Sequence, residues 1–196
     1  ANVTQVRNAD GTAVSGIDLE QLSYGEIEGR RQVKEMFEFT RSAPGFVRSY
    51  IVEIAPQLGI RETRRIAGEY TLTEADILGC ADFGDTIGVQ GWPVEQDAEG
   101  RVDWRFQQPG TRGYNQLPYR MIVPRGIDNL LVAGRCASMT HDGQSAARVS
   151  GPCFIMGQAA GVAASLALAS ECTANAVDVS ALQRKLAAEG VNLPGD

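Results

Sequence analysis

The sequence predicts an α+β fold with a helical N-terminal segment, an antiparallel sheet region in the middle, and a final buried strand that leads into a long helix. Three observations carry this. Apolar residues recur at helical spacing before residue 56, they alternate between residues 81 and 124, and after Ile127 they form the continuous run NLLVAG. Period 3.6 places residues on one face of a helix and period two on one face of a strand. An unbroken short run fits a strand covered on both sides.

The elements follow in order. The polar opening to about Leu22, with the turn-prone NADG, reads as a loop or short edge strand. Ser23 and Glu26 have capping-box spacing, so a helix is expected from about Tyr24 to Arg41. Its stripe is Ile27, Val33, Met36, Phe37 and Thr40, an i,i+4 pair joins Glu26 and Arg30, and Pro44 and Gly45 end it. A second helix is expected over 46–56, from Val47, Tyr50, Ile51 and Ile54. Ile66, Tyr70 and Leu72 share one parity, which predicts a half-buried strand over 65–72. Thr73 and Asp76 cap a short helix to about Leu78. The alternation of Val102, Trp104 and Phe106 predicts hairpins. Glycine and alanine dominate the helix expected from Gly151 or Pro152 to Ala169, and Ser180 with Gln183 caps a last helix that buries Leu182 and Leu186 and stops at Gly190. The organisation expected is 1–80, a helical segment; 81–126, an antiparallel region; and 127–196, a closing strand and helices.

Composition excludes several function classes. A net charge of −6 without a Lys/Arg run argues against nucleic acid, whose phosphates need clustered cations. The four cysteines form no CxxC pair, so they read as reduced thiols of a cytoplasmic protein, and no metal site is expected. The uncharged stretch 152–169 is as long as the shortest membrane spans. Its Ala/Gly content, Gln158 and Ser165, and the lack of an aromatic belt favour a helix buried in protein instead. The opening residues lack a basic region followed by an apolar one, so no secretory signal is expected in them.

Chemistry concentrates between Ile127 and Ala169. Here a strand ends in Gly134, a polar loop follows, and then a helix whose Gly157, Ala160, Gly161 and Ala164 leave one face open to close approach. Ser150, Gly151 and Cys153 present backbone N–H groups at its positive end, and Pro152 costs nothing in a first turn. Such an end favours an anion. Taken alone, the same pattern also describes a close-packed core helix.

The run NLLVAGRCASMTHDGQSAARVSGPCFIMGQAAGVAA resembles the closing segment of FAD-dependent oxidoreductases of the glutathione-reductase-like flavoprotein class. LGIRETRRIAGEYTLTEADIL resembles the same family's middle segment, and PYRMIVPRGIDNLLVAGR its approach to the final strand. The three lie in the family's order and cover roughly half the chain. The resemblance implies that the chain is the C-terminal portion of an α/β FAD-binding fold, with residues 1–80 in the substrate or cap region.

Residue by residue, it implies that Gly134 and Arg135 lie beside the ribityl or pyrophosphate, and that Val149, Ser150, Gly151, Pro152 and Cys153 lie at the pyrimidine edge of the flavin. Ser138, His141, Ser145 and Arg148 would line the loop near the cofactor. His141, the only histidine, is the candidate for imidazole proton transfer, or else hydrogen-bonds a carbonyl. Arg148 would hold a substrate carboxylate or flavin oxygen, or anchor the loop to an acidic neighbour. The cluster 61–65 reads as structural ion pairs.

The family's GxGxxG strand–turn–helix has no counterpart here, and the stretch FGDTIGVQGWP neither follows a buried strand nor opens a helix. The expected partners are therefore an N-terminal nucleotide-binding half or subunit and a small organic substrate. The expected function is hydride transfer to FAD, with the chain supplying the ring-facing helix and substrate-side loops. The alternative is a binding or assembly module that keeps the fold without the cofactor. A nicotinamide enzyme is disfavoured by the same missing fingerprint.

Overall fold

The computed structural model describes residues 4–98 and 101–194. They fall into two compact units, Ala1–Thr63 and Arg64–Asp196. The class is α+β: five α-helices, two 3-10 turns and two antiparallel two-stranded sheets.

In the first unit a single helix, α1 (Leu19–Ser42), carries the architecture. It begins five residues before the expected start, because Asp18 and not Ser23 is its cap. The Asp18 carboxylate accepts from the Glu20 and Gln21 amides at 3.0 Å each. Ser23, now inside the helix, donates its hydroxyl to the Leu19 carbonyl at 2.8 Å. Glu26 serves a different end: it pairs with Arg30 as expected and accepts the Leu58 amide at 2.5 Å, tying the extended chain back to the helix.

Residues 46–56 form no helix: the Ser49 amide closes a turn on the Phe46 carbonyl at 2.8 Å, and irregular chain follows. Val47, Tyr50 and Val52 stand in water, and an isolated helix this short is marginal unless an apolar face packs. The β-branched residues there lower its propensity further.

The second unit has a true core. Helix α2 (Glu74–Leu78) starts with the expected capping box: Thr73 Oγ1 accepts from the Asp76 amide at 3.3 Å and the Asp76 carboxylate accepts the Thr73 amide at 2.8 Å. Strand β1 (Thr86–Gln90) pairs with β4 (Asn115–Pro118), while β2 (Val94–Ala98) and β3 (Arg101–Arg105) form a separate hairpin. Helix α3 (His141–Ala147) is followed almost at once by α4 (Ser150–Ala169), and α5 (Val179–Ala188) closes the chain.

Met156, Ala159, Val162 and Ala163 of α4 face inward, with Ile87 of β1 and Leu182 and Leu186 of α5 in the same cluster. At Gly88 a Cβ would come within 2.6 Å of Ile155, so glycine lets the strand lie tight on α4. The Asp178 carboxylate caps α5 by accepting the Ser180 amide at 2.9 Å, two residues before the expected cap. Gln183 instead donates to the Gly84 and Thr86 carbonyls. Gly190, at φ +86°, ends it as expected.

Two expected strands take other forms. Residues 65–72 keep the predicted parity, burying Gly68 and Leu72, but bend at 69–70 and form only isolated bridges, to Pro124 and Met139. Their amides reach two different stretches, with Ile66 bonding the Cys136 carbonyl and Glu69 that of Val123. The run 129–134 is not a strand: one amide, that of Val132, reaches the Ile122 carbonyl at 2.9 Å, and Leu130 is exposed. A strand needs a continued ladder of backbone bonds with a neighbour, and the bond to Ile122 is not continued along the run.

Candidate functional site

The stretch from Gly134 to Cys153 is one continuous piece: a glycine turn, a buried loop, α3, a two-residue link, and the first turn of α4. Gly134 takes φ +87°, a conformation that favours glycine, and its carbonyl accepts the Ala137 amide at 3.1 Å. Arg135 is exposed, and its carbonyl meets the Gln144 side-chain amide at 3.5 Å.

Ser138 is buried. Its Oγ lies 3.0 Å from Thr71 Oγ1, and its amide donates to the Met121 carbonyl. Gly68 makes that packing possible, since a Cβ there would stand 2.6 Å from the Ser138 Cβ.

Helix α3 is capped by Thr140, whose hydroxyl accepts the Gly143 amide at 3.1 Å. His141 opens it and is exposed. Ser145 is buried, donates to the Asp142 carbonyl at 2.8 Å and accepts the Glu95 amide at 3.2 Å. Arg148 ends the helix, with its guanidinium 3.7 Å from the Glu95 carboxylate. Of the two roles the sequence leaves open for Arg148, an acidic neighbour is present.

The same hairpin is fastened at further points. The Gln96 amide meets Asp142, Arg105 pairs with Glu74, and Arg105 Nη2 lies 3.9 Å from Asp142. Sequence spacing carries no sign of Glu95 or of this fastening, because residues about 50 positions apart meet only in the fold.

Helix α4 then begins with Val149 as its cap residue, in extended conformation, and no side chain bonds its first-turn amides. Ser150 and Gly151 are exposed, Pro152 is buried, and Cys153 is half-buried. The Cys153 thiol donates to the Arg148 carbonyl at 3.2 Å. Burial pushes this thiol above its ordinary value, against the opposing pull of the Arg135 guanidinium.

A Cβ placed on Gly134, Gly151, Gly157 or Gly161 would meet nothing within 4 Å. The backbone at the start of α4 and along its small-residue face is thus open, and Phe154 and Leu168 stand exposed on the same helix. Among the described residues no three His, Cys, Asp or Glu side chains are placed to share a metal. Helix α4 is the one described helix long and apolar enough to cross a membrane by length and composition, and part of it lies in the core.

The site so described is an uncapped, positively poled helix end behind a glycine turn. Residues 1–186 match the FAD dependent oxidoreductase family, and the chain belongs to it. FAD is the cofactor this membership implies, and the role is that of a flavoprotein oxidoreductase. No curated protein and no solved structure matches the chain.

The described residues fit part of FAD. The open amides of α4 and the unobstructed Gly134 and Gly151 suit an electron-rich ring edge. The glycines of the stretch 83–93 do not form a phosphate cradle. Gly88 packs on Ile155, a Cβ on Gly91 would stand 3.1 Å from the Gly113 carbonyl, and Gly84 alone of the three is open.

Proposed function

We propose that this chain is the C-terminal part of a glutathione-reductase-like FAD-dependent oxidoreductase, and that it holds the ring end of the cofactor. The observation that carries the reading is the uncapped first turn of α4, directly behind the Gly134 turn and the loop 135–149. Bound FAD supplies the acceptor for a hydride from the substrate.

The chain's own part is electrostatic and positional. The amides of Ser150 and Gly151 place partial positive charge where the pyrimidine edge gathers negative charge, a contribution of about 0.3–1 kcal/mol at an exposed helix end. The Cys153 amide, expected to join them, is spent on the Val149 carbonyl at 3.2 Å. Gly134 and Arg135 border the ribityl or pyrophosphate. Ser138 and Ser145 act through the loop that they pin, since both hydroxyls already have protein partners. His141, exposed at the head of α3, takes the substrate proton, and Arg148, steadied by Glu95, orients the substrate.

The pyrophosphate cradle comes from an N-terminal nucleotide-binding half or a separate subunit, with a small organic substrate and a cytoplasmic setting. In this arrangement residues 1–80 belong to the substrate or cap region, 81–126 to the antiparallel region, and 127–196 to the closing part of the FAD-binding domain.

The test is a titration of FAD into the chain combined with such a half. A flavin absorption band that persists after desalting is the expected outcome. A mixture that stays colourless points to the cofactor-free module. In the loaded protein His141→Asn should lower turnover by about 10²–10⁴ while the flavin spectrum stays in place.

A further inference from the structure

The hairpin of β2 and β3 carries a group of aromatic rings that packing does not explain. Trp92 and Trp104, the only tryptophans in the chain, meet edge to face with centroids 5.8 Å apart, and Phe106 stacks beside Trp104 at 6.5 Å. The three are 43%, 40% and 66% exposed, so the rings hold one another in place while much of their surface remains in water. A contiguous apolar patch kept in water is unfavourable and marks a binding surface.

The register supplies the chemistry beside it. Trp104 stands directly across from Glu95, and opposed residues of an antiparallel ladder share a face with Cβ atoms about 4.5–5.5 Å apart. On that face Glu95 pairs with Arg148 at 3.7 Å, with the two side chains 15% and 14% exposed. Arg148 is also the residue before the cap of α4.

We propose that this face binds a small neutral saccharide. The C–H face of a sugar ring lies flat on an indole, and each hydroxyl is both donor and acceptor, the combination that a paired guanidinium and carboxylate offer together. A carboxylate ligand meets Glu95, which already neutralises Arg148, in a chain of net charge −6. A wholly apolar ring leaves the ion pair desolvated without new partners. That the sugar is the enzyme's substrate rests on the reading under Proposed function. That it binds does not.

The tryptophans make the test direct. Indole emission of the full chain, without flavin, is titrated with methyl glucoside, maltose and cellobiose, and with benzoate as the anionic aromatic control. A saturable change with at least one sugar is expected, half-complete at about 1–10 mM, the range of a few weak contacts. Trp104→Ala, with Trp92 as reporter, should raise that concentration about tenfold, the loss of one stacking contact. If the Trp104 variant loses its circular dichroism spectrum, Phe106→Ala takes its place, with a shift of about threefold expected from the smaller ring at the edge of the cluster. No saturable change with any sugar up to about 100 mM overturns the proposal. So does a benzoate response stronger than every sugar's, or a half-saturation that neither substitution moves. Because FAD takes no part, the outcome is independent of whether the flavin reading stands.

Discussion

The two units of this chain are held together by different physics. In the second, Leu72, Ile77, Met121, Met156, Leu182 and Leu186 are fully buried in one cluster with the sheet residues Ile87 and Leu117. In the first, Gly25 is the only described residue that is buried. Helix α1 there is written in caps and ion pairs: Asp18 at its start, then Glu26 with Arg30, and Arg31 between Glu28 and Glu35. Surface pairs of this kind contribute little each, so a unit built on them is far more sensitive to solvent conditions than one built on burial.

The contrast is sharpest in the core. Leu182→Ala, which empties a fully buried site on α5, should cost about 2–5 kcal/mol in denaturant unfolding, whereas Phe39→Ala on α1 should stay within about 0.5 kcal/mol. Equal losses would mean that the first unit has a core after all. Gly143→Ala comes next: its Cβ falls on the Leu72 carbonyl, a backbone atom that cannot move aside, so overpacking of about 1–3 kcal/mol is expected in the second unit. Asp18→Ala removes the cap of α1, with a loss of about 1 kcal/mol that reads as reduced helical dichroism and not as a shift of the main unfolding transition.

The smallest effects are those of pH, and they separate the units by direction. Hydrogen bonds from Arg31 and Gln32 hold the Glu28 carboxyl down at about 2, from an ordinary 4.5. Its depressed value stabilises the helix above the ordinary range, and that support is lost as pH falls from about 4.5 toward 2. Burial pushes the Tyr119 phenol, bonded to the Ala174 carbonyl at 2.6 Å, up to about 12. Here the protonated folded form is favoured, so the contribution is complete below the ordinary value of 10.0 and is lost as pH climbs from there to about 12. Acid should therefore fray α1 first and alkali should loosen the second unit first, as followed by far-ultraviolet dichroism and tyrosine absorbance. The reverse order would break the comparison.

What was legible in the sequence is what short-range rules decide, in either unit. The box of Thr73 and Asp76, the inward Leu182 and Leu186, the Gly190 stop and the long helix near Pro152 are each decided within a few residues. The expected cap at Ser23 lost to Asp18 because both residue types can cap, and the helix simply starts where the earlier one stands. The helix expected over 46–56 failed because periodicity describes a face and says nothing of whether anything covers it. The run 129–134 failed as a strand for the related reason that an apolar run says nothing of whether a neighbour offers it a ladder of bonds, and here the bond to Ile122 is not continued. In the candidate site the glycine turn at Gly134 and the long helix α4 were readable, whereas α3 stands where the sequence predicts only a polar loop. Glu95 and its grip on Arg148 and Ser145 were not readable, since a contact across about 50 residues leaves no spacing to detect.

The four thiols inherit this geometry as unequal chemical fates. Cys136 is exposed, while Cys153 is half-buried, bonded to the Arg148 carbonyl and pushed by burial above the ordinary thiol value. Thiolates, not thiols, react with peroxide and alkylating agents. Exposure makes Cys136 the thiol expected to take up an alkylating agent first, and burial at the start of α4 makes Cys153 a slower one.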